Sequence, residues 1–201
     1  MKNNYNKIAW FYDLLKYIVY GKQIDLAEKH FISTIPENAK VLIIGGGSGS
    51  ILPYFKAKTE ITFIDQSDRM IQKARTRITN AKIEFIIGNE TSIPSIQFDY
   101  IITNFFLDLF DESQLRRIIK TLSDLHVEFW INTDFTLQYN PSFIHKALEK
   151  VMYLFFKITT NIEASQLLNF EFHLNEFKLQ KIDSKLFYNK FIETSCWQRK
   201  K

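Results

Sequence analysis

Five short apolar runs, rich in β-branched residues, alternate with longer amphipathic stretches, and this alternation constrains the fold more than any other feature. The runs are KVLII (40–44), EITFID (60–65), KIEFII (82–87), FDYIIT (98–103) and VEFWINTD (127–134). Near-continuous runs of this kind suit parallel strands covered on both faces. Between them, SDRMIQKARTRI (67–78) and DESQLRRIIKTLSDL (111–125) carry helical periodicity and open on the capping-type residues Ser67 and Asp111. The alternation predicts an α/β sheet built from right-handed crossovers. The tail reads differently. FKLQKIDSKLF (177–187) and KFIETSCWQ (190–198) are two further strands separated only by Tyr188 and Asn189. So short a link forces antiparallel pairing, because a parallel crossover needs a dozen residues or more. The expectation is therefore a mostly parallel seven-stranded sheet with a C-terminal antiparallel hairpin at one edge.

Two helical segments, 7–20 and 22–33, precede the first strand and are separated at Gly21. A third helix is expected over 141–160, where Phe143, Ala147, Val151, Leu154 and Ile158 share a face with Ile144, Leu148, Met152 and Phe155 beside it. Its apolar arc is wider than one sheet contact requires. Such helices either pack on two sides or roof an apolar pocket, or they touch a membrane or a partner. With no internal repeat or low-complexity linker, residues 1–201 read as one domain, with a helical cap over 1–35 and a helical insertion or lid over 136–175.

Composition removes several function classes. No apolar run reaches the roughly 18–20 residues of a membrane span, which leaves peripheral membrane contact open. The opening MKNNYNKIAW lacks a charged-then-apolar secretory pattern, and the single Cys196 excludes an internal disulfide. A reducing cytoplasm is the expected location. The net charge is +4, but three of those charges are the terminal Arg199, Lys200 and Lys201. A nearly neutral body does not indicate nucleic-acid binding.

The first strand runs straight into IIGGGSGS (43–50). Strand, glycine loop and helix form a nucleotide-site arrangement, since glycine permits positive φ and lets a ligand approach the backbone. A dinucleotide site wants GxGxxG, and Ser50 occupies the place of its third glycine. What stands here is GxGxG, at Gly45, Gly47 and Gly49. Asp65 closes the second strand 20 residues after Gly45, and a carboxylate accepts two hydrogen bonds at once.

These residues resemble motif I and its surroundings in the class I S-adenosylmethionine-dependent methyltransferases, and the likeness runs along most of the chain. It implies a Rossmann-like three-layer sandwich and S-adenosyl-L-methionine as cofactor, with S-adenosyl-L-homocysteine as product. IIGNETSIP (86–94) is similar to the family's adenine-holding segment, and FDYIITNFFLDLF (98–110) to its fourth strand and the loop beside the transferred methyl group. The cofactor contacts implied are Tyr12, Gly45, Gly47, Gly49, Asp65, Gln66, Asn89, Glu90 and Asn104, with Phe105, Phe106 and Leu107 lining the site or the core. YNKIAWFYDLLKYIVYG is similar to the opening of quinone-biosynthesis C-methyltransferases at Tyr5, Ala9, Tyr12, Asp13 and Gly21. Position 43 is Ile where the family usually has Asp, and no Pro-Gly-Gly turn precedes the fifth strand.

Displacement at a sulfonium methyl needs alignment above all, and a base only where the nucleophile must lose a proton. Candidate bases are Asp108, on the loop after the fourth strand, and His145, on the apolar helix, with Asp134 a third choice. At 15% aromatic residues, the chain suits a small aromatic or lipid-like acceptor. NFFL lacks the prolines of an Asn/Asp-Pro-Pro-Tyr motif, which disfavours DNA bases. Two alternatives stay open. GGGSG also resembles the GGGDG loop of aminopropyltransferases, and Ile43 also suits a binding module that has lost turnover.

Overall fold

In the computed structural model, residues 20–136, 138–139, 142–143, 145–151 and 167–200 are described. Successive residues of a strand point to opposite faces of its sheet, and both faces of the first strand are apolar. In β1 (Lys40–Ile44), Leu42 and Ile44 enter one core while Val41 and Ile43 enter another. The same division holds in β2 (Glu60–Asp65), with Ile64 opposed to Ile61 and Phe63, and in β4 (Tyr100–Asn104), with Ile101 opposed to Ile102. Apolar residues at consecutive positions thus reflect a sheet buried on both sides.

The first layer sets α3 (Glu112–Ser123) and α4 (Phe170–Glu176) on one face through Leu115, Ile118, Ile119, Leu122, Phe170 and Leu174. The opposite layer uses α2 (Asp68–Arg75) through Ile71 and Ala74, with Ile32, Ile35, Ile51, Leu52 and Phe55. The expected caps are present: Ser67 accepts from the Met70 N–H, and Asp111 from the Gln114 N–H. With β3 (Lys82–Ile87), β5 (Phe129–Phe135), β6 (Leu179–Phe187) and β7 (Ile192–Arg199), the strand order is β3-β2-β1-β4-β5-β7-β6. The first five strands are parallel. The tail hairpin lies antiparallel at the edge, β7 pairing with both β5 and β6, and a register shift falls between Lys181 and Asp183. The Rossmann-like three-layer, seven-stranded expectation is met.

Two local expectations are corrected. The segment following the glycines is only a 3-10 turn, Leu52–Tyr54, not an α-helix. Ten residues separate Gly49 from Glu60, Pro53 stands among them, and Lys58 turns back with positive φ, so a helix has no room to propagate. The segment 22–33 is likewise divided: α1 (Lys22–Glu28) is followed by a separate 3-10 turn, Ile32–Thr34. Gly21 precedes α1 at φ +60. Segment 7–19, with Tyr12, lies outside the described residues, as does most of 141–160, of which 145–151 is helical. Among the described residues no helix is long and apolar enough to cross a membrane.

From β1 the chain moves outward through β2 and β3, then returns to place β4 on the other side of β1. This reversal opens a crevice at the carboxyl ends of β1 and β4, the place where ligands bind in sheets of this kind.

Candidate active site

The glycine loop at the end of β1 is held by backbone and by Asp65. The Gly45 and Gly46 N–H groups both donate to the Ile64 carbonyl. The Asp65 carboxylate accepts from the Gly47 N–H at 2.8 Å and from the Ser67 N–H at 2.8 Å. Burial pushes the Asp65 carboxyl above the ordinary carboxylate range, and those two N–H donors pull in the opposite direction. A carboxylate has about four acceptor positions, so both oxygens retain capacity for a ligand's hydroxyls. The Gly88 N–H donates to the Asp65 carbonyl, which ties the end of β3 to the same corner.

Two glycines of the loop have distinct reasons to be glycine. Gly45, at φ +67, lies directly beneath the Phe106 ring, and an added Cβ would collide with it. Gly47, at φ +55, faces open space. Ser50, which breaks the dinucleotide fingerprint, donates from its hydroxyl to Glu28 at 2.7 Å and so joins the loop to α1. Arg77 donates from Nε to the Ser48 carbonyl at 2.9 Å. Neither Glu28 nor Arg77 was indicated by sequence, because each reaches the loop only through the packing of helices beside it. Ile43, where the family usually has an acid, is 2% exposed and packs in the core shared with α2.

Gln66 follows Asp65 at the mouth of the crevice, half-buried. Asn89 caps the 3-10 turn Glu90–Ser92 by accepting from the Thr91 N–H and hydroxyl. Glu90 pairs with Arg117 of α3 at 3.8 Å. Asn104 ends β4 half-buried, and its Oδ1 has no hydrogen-bond donor among the described residues. Next to it Phe105 adopts φ +49, a left-handed conformation uncommon for a bulky residue. It is held there by its N–H donating to the Thr133 carbonyl at 2.7 Å and by its ring packing on Phe135. Strain of this kind persists where surrounding structure over-determines it, often at functional sites.

 The carboxyl ends of β4 and β5 bring close in space two candidate bases that lie 26 positions apart in sequence, Asp108 and Asp134. Asp108 stands on the 3-10 turn Leu107–Leu109 and Asp134 near the end of β5, and they are 5% and 2% exposed. The Asp134 Oδ1 accepts from the Phe135 N–H at 3.2 Å. Burial raises the Asp108 carboxyl to about 7, and burial together with the Asp108 charge raises Asp134 well above the ordinary range. Tyr20 lies close enough that the Asp108 charge, after burial, raises its hydroxyl.

His145 is buried rather than on a solvated side: its ring stacks on Phe191 at 4.9 Å, and its Nδ1 accepts from the Ser142 N–H. Tyr20, Phe105, Phe135, Tyr188 and Phe191 form one aromatic group beside it. Its members come from the N-terminal segment, two strand ends and the hairpin turn, so sequence alone did not assemble it. The site thus has two parts, the loop with Asp65 and the acidic pair with the aromatic group, and Asn104 to Phe106 lead from one to the other. Among the described residues there is no metal-binding cluster.

Comparison with known proteins agrees with this geometry. Residues 41–126 match the family model described as a methyltransferase domain. No curated relative matches the sequence. The fold is similar to magnesium protoporphyrin IX methyltransferase from Synechocystis PCC 6803 with bound SAH, at TM-score 0.69 and 14% identity, covering 98% of this chain and 96% of that one. It is also similar to the mitomycin 7-O-methyltransferase MmcR, at TM-score 0.68 and 14% identity, covering 94% of this chain but 57% of that one. Human N-acetylserotonin methyltransferase in complex with SAM gives TM-score 0.67 and 11% identity, covering 96% of this chain and 56% of that one. The methyltransferase-domain match thus spans the glycine loop, Asp65 and the strand-four exit, on a fold shared with these methyltransferases.

Proposed function

We propose that the protein transfers a methyl group from S-adenosyl-L-methionine to a small acceptor, aromatic or lipid-like in character. The observation that carries this reading is the Asp65–Gly47 hydrogen bond at 2.8 Å, beside a Gly47 that faces open space. An acid that shapes the loop and keeps spare acceptor positions fits a ribose diol. Asn104, with a buried oxygen lacking a donor among the described residues, fits a second polar contact. Gln66, Asn89 and Glu90 complete the cofactor side, and Tyr12 is assigned to it by family resemblance. The cofactor supplies an electrophilic methyl group on positively charged sulfur. The chain's own residues bind and align, and such positioning contributes up to roughly 7–11 kcal/mol. The aromatic group of Tyr20, Phe105, Phe135, Tyr188 and Phe191 supports an apolar acceptor. His145, stacked within it, is a candidate to orient that acceptor, and Asp108 a candidate base.

Calorimetric titration with S-adenosyl-L-homocysteine, and with NADH as control, tests the reading. Wild type is expected to bind the former and not the latter. Asp65→Ala is expected to lose about tenfold or more in affinity, since hydrogen bonds to a charged group contribute about 1.5–3 kcal/mol. No binding of S-adenosyl-L-homocysteine by folded wild type refutes the proposal.

A further inference from the structure

Every residue of the glycine loop from Gly45 to Ser50 is held by a partner. At the strand end the Gly45 and Gly46 N–H groups donate to the Ile64 carbonyl. In the middle the Gly47 N–H donates to Asp65 at 2.8 Å, and the Gly49 N–H turns back to the Gly46 carbonyl. The two serines are held by side chains that lie far off in sequence. Arg77, just past α2, donates from Nε to the Ser48 carbonyl at 2.9 Å and from Nη2 to the Ser48 hydroxyl at 3.3 Å. Ser50 donates its hydroxyl to Glu28 Oε2 at 2.7 Å, across 22 positions of sequence.

The local helix gives no reason for Glu28. It is the last residue of α1 and is 5% exposed. An acid at a helix C-terminus opposes the helix dipole, and burying a carboxyl is costly unless it is hydrogen-bonded. Its contact with Ser50 supplies the compensation. The backbone beneath it is firmly placed. Ile24 and Ala27 of α1 pack in one core with Phe135 and Phe191. The Ala27 carbonyl accepts from the Thr194 hydroxyl of β7 at 2.9 Å, and that hydroxyl accepts from Thr133 of β5 at 3.2 Å. The Glu28 side chain therefore reaches the loop from a point tied to the centre of the sheet.

A glycine-rich loop left free samples many conformations, and ordering it during binding subtracts from affinity. We propose that Glu28 is a positioning residue of the cofactor site. Together with Arg77 it fixes the serines, so that the glycine loop stands in its binding conformation and the cofactor does not have to order it. The inference rests on the methyl-transfer reading above and adds a residue that acts through Ser50. Its effect is on the fraction of chains whose loop is ready to bind, and apparent affinity scales with that fraction. Glu28 thus sets the rate at which cofactor associates, while dissociation is governed by the groups that touch it.

The test measures association and dissociation rates of S-adenosyl-L-homocysteine on the full chain by surface plasmon resonance. Amide hydrogen exchange of residues 45–50 is followed in parallel without ligand. Glu28→Ala and Ser50→Ala should each lower the association rate by about tenfold and leave the dissociation rate unchanged. Exchange at the Gly47 and Gly49 amides should quicken in both. The double variant should be no slower than either single one, because both remove the same bond. Glu28→Gln, which keeps an oxygen acceptor on a side chain of equal length, should retain wild-type rates. Faster dissociation with unchanged association in Glu28→Ala overturns the proposal, since it marks a direct contact with the cofactor. Failure of Glu28→Gln to retain the rates overturns it as well. Should Glu28→Ala not fold, Ser50→Ala decides on the same outcomes. Absence of S-adenosyl-L-homocysteine binding by wild type overturns the methyl-transfer reading instead, and hydrogen exchange still decides whether Glu28 orders the loop.

Discussion

Gly45 and Gly47 both lie in the left-handed region, yet different forces select them. At Gly45 an added methyl group meets the buried Phe106 ring, so Gly45→Ala should destabilise the fold by about 1–3 kcal/mol, read from the urea midpoint. At Gly47 nothing lies within 4 Å. Gly47→Ala should cost only about 1 kcal/mol in backbone strain but weaken S-adenosyl-L-homocysteine binding in calorimetry. Ile43 belongs to the same scale. A carboxylate there would enter a packed apolar core, so Ile43→Asp should lose several kcal/mol, on the order of 3–5, with no gain in cofactor affinity. The residue thus reads as a core member.

At the scale of elements, capping was legible because it is local: an acceptor side chain, three residues and one N–H suffice. Asp111→Ala should cost about 1 kcal/mol in thermal or urea unfolding, because the Gln114 N–H loses its partner at the start of α3. The antiparallel hairpin was legible for a similar reason, since chain length alone forbids the parallel alternative. The element after the glycine loop was not. Its apolar residues satisfy a helical reading, but the distance to β2 leaves space for one 3-10 turn only. The glycines and Asp65 at the loop were readable from sequence, and the helix behind the loop was overstated.

Over the whole molecule, the buried acidic pair couples stability to pH. Asp108 rises from 3.8 to about 7 on folding, so between those values the native state holds a proton that the unfolded chain has released. Stability should therefore fall as pH rises from about 4 to 7, by an amount on the order of a few kcal/mol. Urea unfolding at pH 5 and pH 8 should show this fall in wild type and a flatter profile in Asp108→Asn.

The sequence by itself determined the parallel sheet, its edge hairpin, the two helix caps and the loop with its acid, because each depends on periodicity or on neighbours within about 20 residues. The meeting of Asp108 with Asp134, of Ser50 with Glu28 and of Tyr20 with Phe135 and Tyr188 was decided only by tertiary structure. Those contacts join strand ends, turns and helices through crossovers, and their partners are chosen by how the layers pack rather than by any local preference of the chain.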